Sequence, residues 1–270
     1  MELYTIEEFR AIMNGIWEKY GKKCDIDAEK AEIFFKLTKR LLEENEKYNL
    51  TAIRTVEGVI ENHIFDSLTV VDQIPEGASV LDLGSGAGFP SLPIAIMRPD
   101  LQITALDSTE KKTEYIKETA RLLGLSNIST ICGRAEELTA IKVDEKSERA
   151  SKKKFSKAQK HEASTYPAFR ESFDLVIARS VASYNILSEL CVPFLKIGGT
   201  FIAMKAEKAS HEAKEGENSL YLLGCVQKCK LYKPYSIDPE TDKLFFITLK
   251  RSATPAKYPR KYAQIKKKPL

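Results

Sequence analysis

The chain has 270 residues, of which 43% are hydrophobic and 30% charged, and its formal net charge at pH 7 is +4. This length suits one large domain with an appendage, and the composition is that of an ordinary globular protein. No stretch is long and apolar enough to cross a bilayer, and the first residues lack the features of a signal peptide. The five cysteines show no metal-binding spacing, so we predict reduced thiols in a cytoplasmic protein without a metal or a membrane anchor.

The N-terminal part of the chain is predicted to be helical. Apolar residues recur at helical spacing over 33–42 and again over 56–71. Pro75 and a nearby glycine then mark a boundary. We therefore predict an N-terminal helical region, 1–72, followed by a second domain, 73–270.

Strands alternate with helices from residue 78 onwards. The predicted strands are 78–83, 102–107, 128–132, 173–178 and 199–204, and the predicted helices are 91–97, 110–123 and 183–195. Such alternation implies a Rossmann-like α/β domain, in which helices cover both faces of a parallel sheet. We expect the last apolar alternation, Leu244 to Leu249, to pair antiparallel with a strand near 220–229.

A lysine-rich segment, 144–166, differs from the rest of this domain because it contains few apolar residues. Such a composition cannot anchor a segment to a core. We predict a solvated insertion there, with an additional RNA contact as the alternative.

The most informative motif lies at 80–90, where an apolar strand is followed by Gly84, Gly86 and Gly88 at alternate positions and then by a predicted helix. Glycines permit unusual dihedral angles and remove side chains that would block a ligand. The start of a helix also offers unpaired backbone N–H groups. The motif therefore predicts a cradle in which a ligand contacts bare backbone.

The spacing of this loop favours S-adenosylmethionine over a dinucleotide. A dinucleotide loop reads G-x-G-x-x-G, whereas Phe89 occupies the place of that last glycine here. Asp82, just before the loop, would repel a diphosphate, and Asp107, at the end of the next strand, is placed to accept hydrogen bonds from ribose hydroxyls. S-adenosylmethionine carries a sulfonium, an ammonium and a ribose but no phosphate, so the pattern is that of a class I methyltransferase. Strand-end acids that only cap helices are the alternative.

Positive charge is concentrated at the C-terminal end of the chain. From Lys243 to Leu270 there are nine basic residues and no acid, which leaves 33 basic and 38 acidic residues elsewhere. A basic tail (250–270) with tyrosines suits a polyanion such as RNA, because charge supplies affinity and rings supply stacking. A solvated, frayed terminus is the alternative. The predicted RNA-binding residues are Lys257, Arg260, Lys261, Lys266, Lys267 and Lys268.

Short segments along nearly the whole chain carry a family resemblance. They are Asn-Leu-Thr at 49–51, His-Ile-Phe-Asp-Ser-Leu at 63–68, the glycine loop, Gly-Arg-Ala-Glu-Glu at 133–137, Arg-Glu-Ser-Phe-Asp at 170–174, Ala-Arg-Ser-Val-Ala at 178–182, Pro-Phe-Leu-Lys-Ile-Gly-Gly at 193–199 and Lys-Tyr-Pro-Arg at 257–260. Together they resemble the bacterial small-subunit rRNA methyltransferase family RsmG, also called glucose-inhibited division protein B. The 144–166 insertion departs from the family pattern.

The resemblance implies methylation of N7 of one guanine in a decoding-region loop of 16S rRNA, with S-adenosylmethionine as the donor. The expected partner is 16S rRNA or the 30S subunit, and we expect a monomer. Carried onto this chain, and together with the loop glycines, the predicted cofactor-binding residues are Gly84, Gly86, Gly88, Phe89, Asp107, Ser108, Ala135, Glu136 and Arg179.

Guanine N7 is a lone-pair nucleophile with no proton to lose, so no general base is required, and orientation can supply most of the rate enhancement. Asp66 is the candidate acceptor for the Watson–Crick edge of the base, with Ser67 or Asn49 donating nearby. A polar cluster that only packs the N-terminal helices is the alternative for these three residues.

Three other functions remain open from the sequence. The same fold could methylate another RNA, a protein or a small molecule, because fold does not determine function. A nicotinamide-dependent reductase is disfavoured by Phe89 and Asp82. A non-catalytic RNA-binding protein is disfavoured by the intact glycine loop and Asp107.

Overall fold

A computed structural model describes residues 4–141, 168–179, 182–206, 209–236 and 242–270. The predicted insertion at 144–166 lies outside the described residues, as do Ser180 and Val181 of the Ala-Arg-Ser-Val-Ala segment.

The N-terminal region consists of helices, as predicted. They are α1 (Ile6–Lys19), α2 (Ala28–Tyr48), α3 (Val56–Val59), a π-helical segment (Ile60–Phe65), α4 (Asp66–Leu68) and a 3-10 turn (Val71–Gln73). A capping box starts α1, in which Thr5 and Glu8 each accept a hydrogen bond from the other's backbone N–H. The Asp27 side chain caps α2 by accepting from Lys30 N–H.

Seven strands form one sheet behind these helices. They are β1 (Ser79–Leu83), β2 (Gln102–Asp107), β3 (Ile128–Cys132), β4 (Phe173–Arg179), β5 (Leu195–Ala206), β6 (Lys230–Tyr232) and β7 (Lys243–Leu249). Their order is β3-β2-β1-β4-β5-β7-β6. The first five are parallel, and β7 is antiparallel to both of its neighbours. The strand order reverses between β1 and β4, and ligands of open α/β sheets bind at such a switch point.

Helices connect these strands. They are α5 (Ser91–Met97), α6 (Glu110–Leu122), α7 (Ala135–Thr139), α8 (Tyr184–Cys191), a 3-10 turn (Val192–Phe194), α9 (Glu212–Glu215), α10 (Glu217–Leu222) and α11 (Tyr262–Lys267). The five strands and three helices predicted from the sequence are therefore confirmed, although β5 begins at Leu195, where the predicted third helix was expected to end.

The predicted strand near 220–229 is wrong. Helix α10 occupies the start of that range, and the strand that pairs with β7 is β6, which follows it. Leu220 and Leu223 are both fully buried and stand three residues apart, which is helical spacing. Gly224, with a φ of +89°, ends this helix, and Cys225 makes only an isolated bridge to Lys250.

The N-terminal helices share a hydrophobic core with the glycine-loop side of the sheet. Ile60 and Phe65 belong to the same buried cluster as Phe89 and Leu92. The helical region is therefore fixed against the loop that the sequence singled out.

The C-terminal residues are anchored to the domain, so the alternative of a frayed terminus is wrong. Ile265 of α11 is fully buried. The buried Arg170 guanidinium donates to the carbonyl oxygens of Thr254 at 2.7 Å and Tyr258 at 2.8 Å. Such charge-assisted bonds help to fix this segment against the domain.

Three of the nine basic residues at this end are paired inside the protein. Lys250 is fully buried and contacts the Glu171 carboxylate at 2.8 Å. Arg260 pairs with the fully buried Glu189 at 2.6 Å, and Lys243 lies 3.7 Å from Asp66. These charges stabilise the fold, so the basic patch available to a polyanion is smaller than the sequence indicates.

Candidate active site

The glycine loop follows β1 and is held against the end of β2. The backbone N–H groups of Gly84 and Ser85 both donate to Leu106 O, at 2.8 and 3.0 Å. All three glycines have positive φ angles, 76° at Gly84, 56° at Gly86 and 88° at Gly88. The loop therefore needs glycine at these positions.

Gly88 stands at a closely packed point of the loop. A Cβ at this position would lie 2.5 Å from Leu92 Cδ1 and 3.2 Å from Ile116 Cγ1. The backbone thus approaches two helices closely on the side away from the open part of the loop. The contact of Gly88 with the cofactor stays a prediction.

Asp107 connects the end of β2 to the loop. Its Oδ2 accepts from Gly86 N–H at 3.1 Å, and its Oδ1 accepts from Thr109 N–H at 2.9 Å. A carboxylate has about four lone-pair sites, so these two bonds leave capacity for a ligand. Asp107 is buried, with 8% of the residue exposed, and lines a cavity.

This first cavity, which we call the strand-end cavity, has a volume of about 480 Å³ and opens at the carboxyl ends of β1 to β4. Its lining residues are Leu83, Gly84, Leu106, Asp107, Ser108, Thr109, Lys112, Gly133, Arg134, Ala135, Glu136, Arg179, Ala182, Leu190 and Tyr262. Six of the nine predicted cofactor residues therefore meet here: Gly84, Asp107, Ser108, Ala135, Glu136 and Arg179.

Asp82 lies beneath the loop and does not line this cavity. Its Oδ2 accepts from Ser91 N–H at the start of α5, and its Oδ1 has no hydrogen-bond partner among the described residues. Burial raises the pKa of this carboxyl to about 6. The interpretation of Asp82 as an acid facing the ligand is therefore wrong, and the helix-capping alternative is correct for this residue.

A second cavity, the loop cavity, of about 310 Å³ lies between the glycine loop and the N-terminal region. Its lining residues are Leu50, Thr51, His63, Gly84, Ser85, Gly86, Ala87, Phe89 and Arg179. Gly84 and Arg179 line both cavities, so the two spaces adjoin. Ser85 Oγ is buried and has no hydrogen-bond partner in the described part of the chain.

Phe89 and His63 form one wall of the loop cavity. Their rings are stacked, with centroids 4.5 Å apart and planes inclined by 16°. The Phe89 side chain is thus buried against the N-terminal region and is only 4% exposed as a residue. The structure places Phe89 in the loop cavity and not in the strand-end cavity.

The hydrogen bonds of His63 determine its tautomer. Nδ1 lies 3.2 Å from Arg179 Nη2, which can only donate, so Nδ1 accepts. Nε2 then carries the proton and donates to Thr51 Oγ1 at 2.8 Å. Burial and the Arg179 charge lower the pKa of His63 to about 3, so the ring is neutral at physiological pH.

Arg179 connects the end of β4 to the loop and the N-terminal helices. Its Nε donates to Phe89 O at 3.2 Å. Its Nη1 donates to Asn62 O at 2.8 Å and to Asp66 Oδ2 at 2.9 Å. With the His63 contact, four of its five N–H donors are used within the described residues, which leaves one Nη2 N–H for a ligand.

None of the three candidate guanine-positioning residues lines either cavity. Asp66 is 3% exposed and faces Arg179 and Lys243. Ser67 is fully buried and donates to His63 O, whereas Asn49 caps α2 with a left-handed backbone. The helix-packing alternative therefore describes Asp66 and Ser67, and the residues that face the cavity from this region are Thr51 and His63.

The predicted RNA-binding residues divide into two groups. Arg260 forms an ion pair with Glu189 and so holds the C-terminal segment to the domain. The other five are exposed: Lys257, Lys261, Lys266, Lys267 and Lys268.

Several lining residues were not predicted. Lys112 stands on α6, and its Nζ lies 3.9 Å from Asp107 Oδ2. Its short separation from Asp107 along the chain could have indicated this contact from the sequence. Tyr262 comes from the C-terminal segment, and no local pattern indicates that it reaches the sheet.

The strand-end cavity fits S-adenosylmethionine. Its volume is within the range of about 300–1,000 Å³ for small-molecule sites, its glycine side is bare backbone, and Asp107 has acceptor capacity left. The order of the seven strands, the reversed β7 and the loop after β1 complete the pattern. The fold and this site define a class I methyltransferase that uses S-adenosylmethionine.

A family model described as rRNA small subunit methyltransferase G matches residues 30–154 and 156–233. The chain belongs to this family, which confirms the resemblance drawn from the sequence. Ribosomal RNA small subunit methyltransferase G of Streptococcus pyogenes serotype M12 is 39% identical over 247 residues, which are 90% of this chain and 91% of that protein. Its counterpart in Clostridium tetani is 36% identical over 264 residues, 96% and 98% of the two chains.

Among solved structures, the crystal structure of M. jannaschii TYW2 in complex with AdoMet overlaps this chain with a TM-score of 0.47 and 16% sequence identity. The overlap covers 71% of this chain and 77% of that one.

The described residues contain no helix with the length and hydropathy of a membrane span. They also contain no group of three or more His, Cys, Asp or Glu side chains arranged to hold a metal ion.

Proposed function

We propose that this chain transfers a methyl group from S-adenosylmethionine to N7 of one guanine in 16S rRNA of the small ribosomal subunit. The observation that carries the proposal is the meeting of two cavities at Gly84 and Arg179. The strand-end cavity accommodates the methyl donor, and the loop cavity accommodates a flat base. A methyl donor in one cavity and an acceptor base in the other can come into contact where the two cavities adjoin, without leaving the protein.

The donor is bound by residues at the ends of three strands. Asp107 accepts from the ribose hydroxyls with the lone pairs that Gly86 and Thr109 leave free. Gly84 allows the donor to lie against the backbone, because it has no side chain. The other predicted contacts that line this cavity are Ser108, Ala135 and Glu136.

The acceptor side needs to hold a base and not to remove a proton. S-adenosylmethionine supplies an electrophilic methyl group on a sulfonium, and guanine N7 supplies the lone pair that forms the new bond while the sulfur keeps the old bonding pair. Ser85 Oγ and the remaining Arg179 N–H offer hydrogen bonds to the base, and O6 of guanine is an acceptor next to N7.

Charge balance suits a product ring that is cationic. Arg179 is positive, but the Asp66 carboxylate lies 2.9 Å from its Nη1. His63 adds no second positive charge, because burial keeps its pKa near 3. The developing charge on the base therefore does not face an unbalanced cation.

The five exposed lysines of the C-terminal segment supply non-specific attraction to the RNA backbone.

We place the activity in the cytoplasm, where the small subunit is assembled, and propose a monomer as the active form.

The test is transfer of a labelled methyl group to 16S rRNA transcribed in vitro, both free and assembled into 30S particles, followed by mapping of the modified nucleotide. We expect incorporation at N7 of one guanine. Asp107→Asn should reduce it strongly, whereas Asp100→Asn, which removes an acid paired with Arg98 outside both cavities, should not. Absence of label at a guanine N7 with both substrates would refute the proposal.

A further inference from the structure

We propose that Tyr262 is a cofactor-contacting residue that covers the adenine of S-adenosylmethionine, so that the C-terminal segment is part of the donor site. The inference rests on the proposed function, because that function fixes which end of the strand-end cavity receives the methyl group. The sequence predicts RNA binding for the basic residues on either side of Tyr262.

The direction of the donor follows from the order of the strands. The methyl group must lie near Gly84 and Arg179, since the loop cavity adjoins there. Asp107, on the next strand of the sheet, takes the ribose. The adenine then extends to the side of β3, where Gly133, Arg134 and Glu136 line the cavity.

Tyr262 is positioned at this adenine end. The Arg134 guanidinium carbon lies 5.3 Å from the centroid of the Tyr262 ring, and Arg134 Nε also donates to Glu136 Oε1 at 2.8 Å. A cation this close to a ring centroid is attracted by the quadrupole of the ring, which favours keeping Tyr262 beside Arg134. The Tyr262 ring therefore forms one wall of the strand-end cavity together with Arg134 and Glu136, which follow β3.

A third cavity of about 460 Å³ lies on the other side of this wall. Arg134, Glu136 and Tyr262 line both this cavity and the strand-end cavity, and Pro259, Arg260 and Lys261 are among its other lining residues. Tyr262 is half-buried and packs against the core on one side, but it also lines both open spaces. The part of the ring that faces the strand-end cavity is therefore available to a flat ligand.

The position of Tyr262 is fixed from both sides in the chain. Two residues before it, Arg260 binds the buried Glu189 through its backbone N–H at 2.8 Å and its guanidinium at 2.6 Å. Three residues after it, Ile265 is fully buried. Leu190, the neighbour of Glu189, lines the strand-end cavity itself. A residue held this firmly at the rim of a cavity suits a pre-organised contact.

The experiment is isothermal titration calorimetry of the full chain with S-adenosylhomocysteine. We expect Tyr262→Ala and Tyr262→Leu to bind about tenfold more weakly, because stacking on an aromatic ring is lost, and Tyr262→Phe to bind as the wild type does. Tyr221→Ala is the matched control, since it removes a tyrosine that is 68% exposed and lines none of the three cavities. Thermal unfolding of each variant identifies any that do not fold.

A second titration uses 5′-methylthioadenosine, which keeps the adenine and the ribose but lacks the amino acid. The loss caused by Tyr262→Leu should be the same factor for this ligand as for S-adenosylhomocysteine. Equal binding by wild type and Tyr262→Leu, or an equal loss in Tyr262→Phe, overturns the assignment. Failure of the wild-type chain to bind S-adenosylhomocysteine would instead refute the proposed function itself.

Discussion

The strand-end cavity and the loop cavity share Gly84 and Arg179 but are built in different ways. The first is formed mainly by residues that directly follow parallel strands, so the topology of the sheet brings them together. The second is formed by the glycine loop and by Thr51 and His63, which belong to the N-terminal region. The donor side is therefore a property of the fold, whereas the acceptor side depends on how an added helical region contacts that fold.

The largest expected effect comes from breaking the connection between the two cavities with Arg179→Ala. This change removes the donor to Asp66 Oδ2 and to His63 Nδ1 and leaves only the longer contact of Asp66 with Lys243, at 3.7 Å, among the described residues. Loss of one partner of a buried pair costs about 3 kcal/mol or more. We expect a lower free energy of unfolding in urea and almost complete loss of methyl transfer.

The control for Arg179 is Arg121→Ala, which removes an exposed ion pair with Glu118 on α6. Such pairs contribute about 0–1 kcal/mol, so stability and activity should hardly change. Equal stability of Arg179→Ala and wild type would show that the two cavities are not connected through this residue.

The second prediction uses the opposite pKa shifts of His63 and Asp82. The folded-state pKa of His63 is lowered to about 3, so its stabilising contribution is complete above the unfolded-state pKa of 6.5 and is lost as the pH falls. From about pH 7 to about pH 4.5, wild type should lose about 2–3 kcal/mol relative to His63→Gln. Urea unfolding at both pH values measures this difference.

Asp82 should behave in the opposite way. Its folded-state pKa is raised to about 6, so its stabilising contribution is complete below 3.8 and is lost as the pH rises through 6. Wild type should therefore gain about 2 kcal/mol relative to Asp82→Asn over the same acidification. If the free energies of unfolding of the two variants, each relative to wild type, changed in the same direction with pH, the different environments of His63 and Asp82 would be contradicted.

The third prediction concerns the donor side alone. Asp107→Asn keeps a side chain of the same size but removes the charge, and charge-assisted hydrogen bonds contribute about 1.5–3 kcal/mol. Affinity for S-adenosylhomocysteine should fall about tenfold or more, as measured by calorimetry. Thr51→Val, which changes only the loop cavity, should leave this affinity close to that of wild type.

The smallest effect is expected from the exposed lysines. Replacing Lys266, Lys267 and Lys268 together with glutamine should weaken RNA binding and flatten its salt dependence by about 0.7–0.9 for each phosphate contact that is lost. Filter binding at several salt concentrations measures the slope. Lys196→Gln, on an exposed lysine at the start of β5, is the control. An unchanged slope in the triple variant would show that this segment does not contact RNA.

The same difference explains what the sequence could predict. The strands, the helices after them and most of the strand-end cavity follow from local patterns, because the glycine loop and Asp107 stand at the ends of apolar runs. The loop cavity could not be predicted, because Arg179 and His63 are 116 residues apart and meet only in the folded chain. The orientation of Asp82 could not be predicted for a related reason. The sequence pattern gives its position on β1 but not the direction in which its carboxyl group points.

Charge counting failed at the C-terminal end for a physical reason. Lys243, Lys250 and Arg260 look like exposed cations in the sequence, but each has an acidic partner that is distant in the chain. A basic residue contributes to binding a polyanion only when its own protein leaves the charge in solvent.

The stacked pair of Phe89 and His63 has a consequence for the order of events at the site. Phe89 belongs to the loop that faces the donor, and His63 belongs to the region that faces the acceptor. If a ligand in one cavity shifts this pair, its binding energy is shared with the other cavity, and thermodynamic linkage then requires each ligand to change the affinity of the other by the same factor. Arg179 contacts both members of the pair, through Phe89 O and His63 Nδ1, so the stacked rings and this guanidinium form one continuous connection between the donor side and the acceptor side.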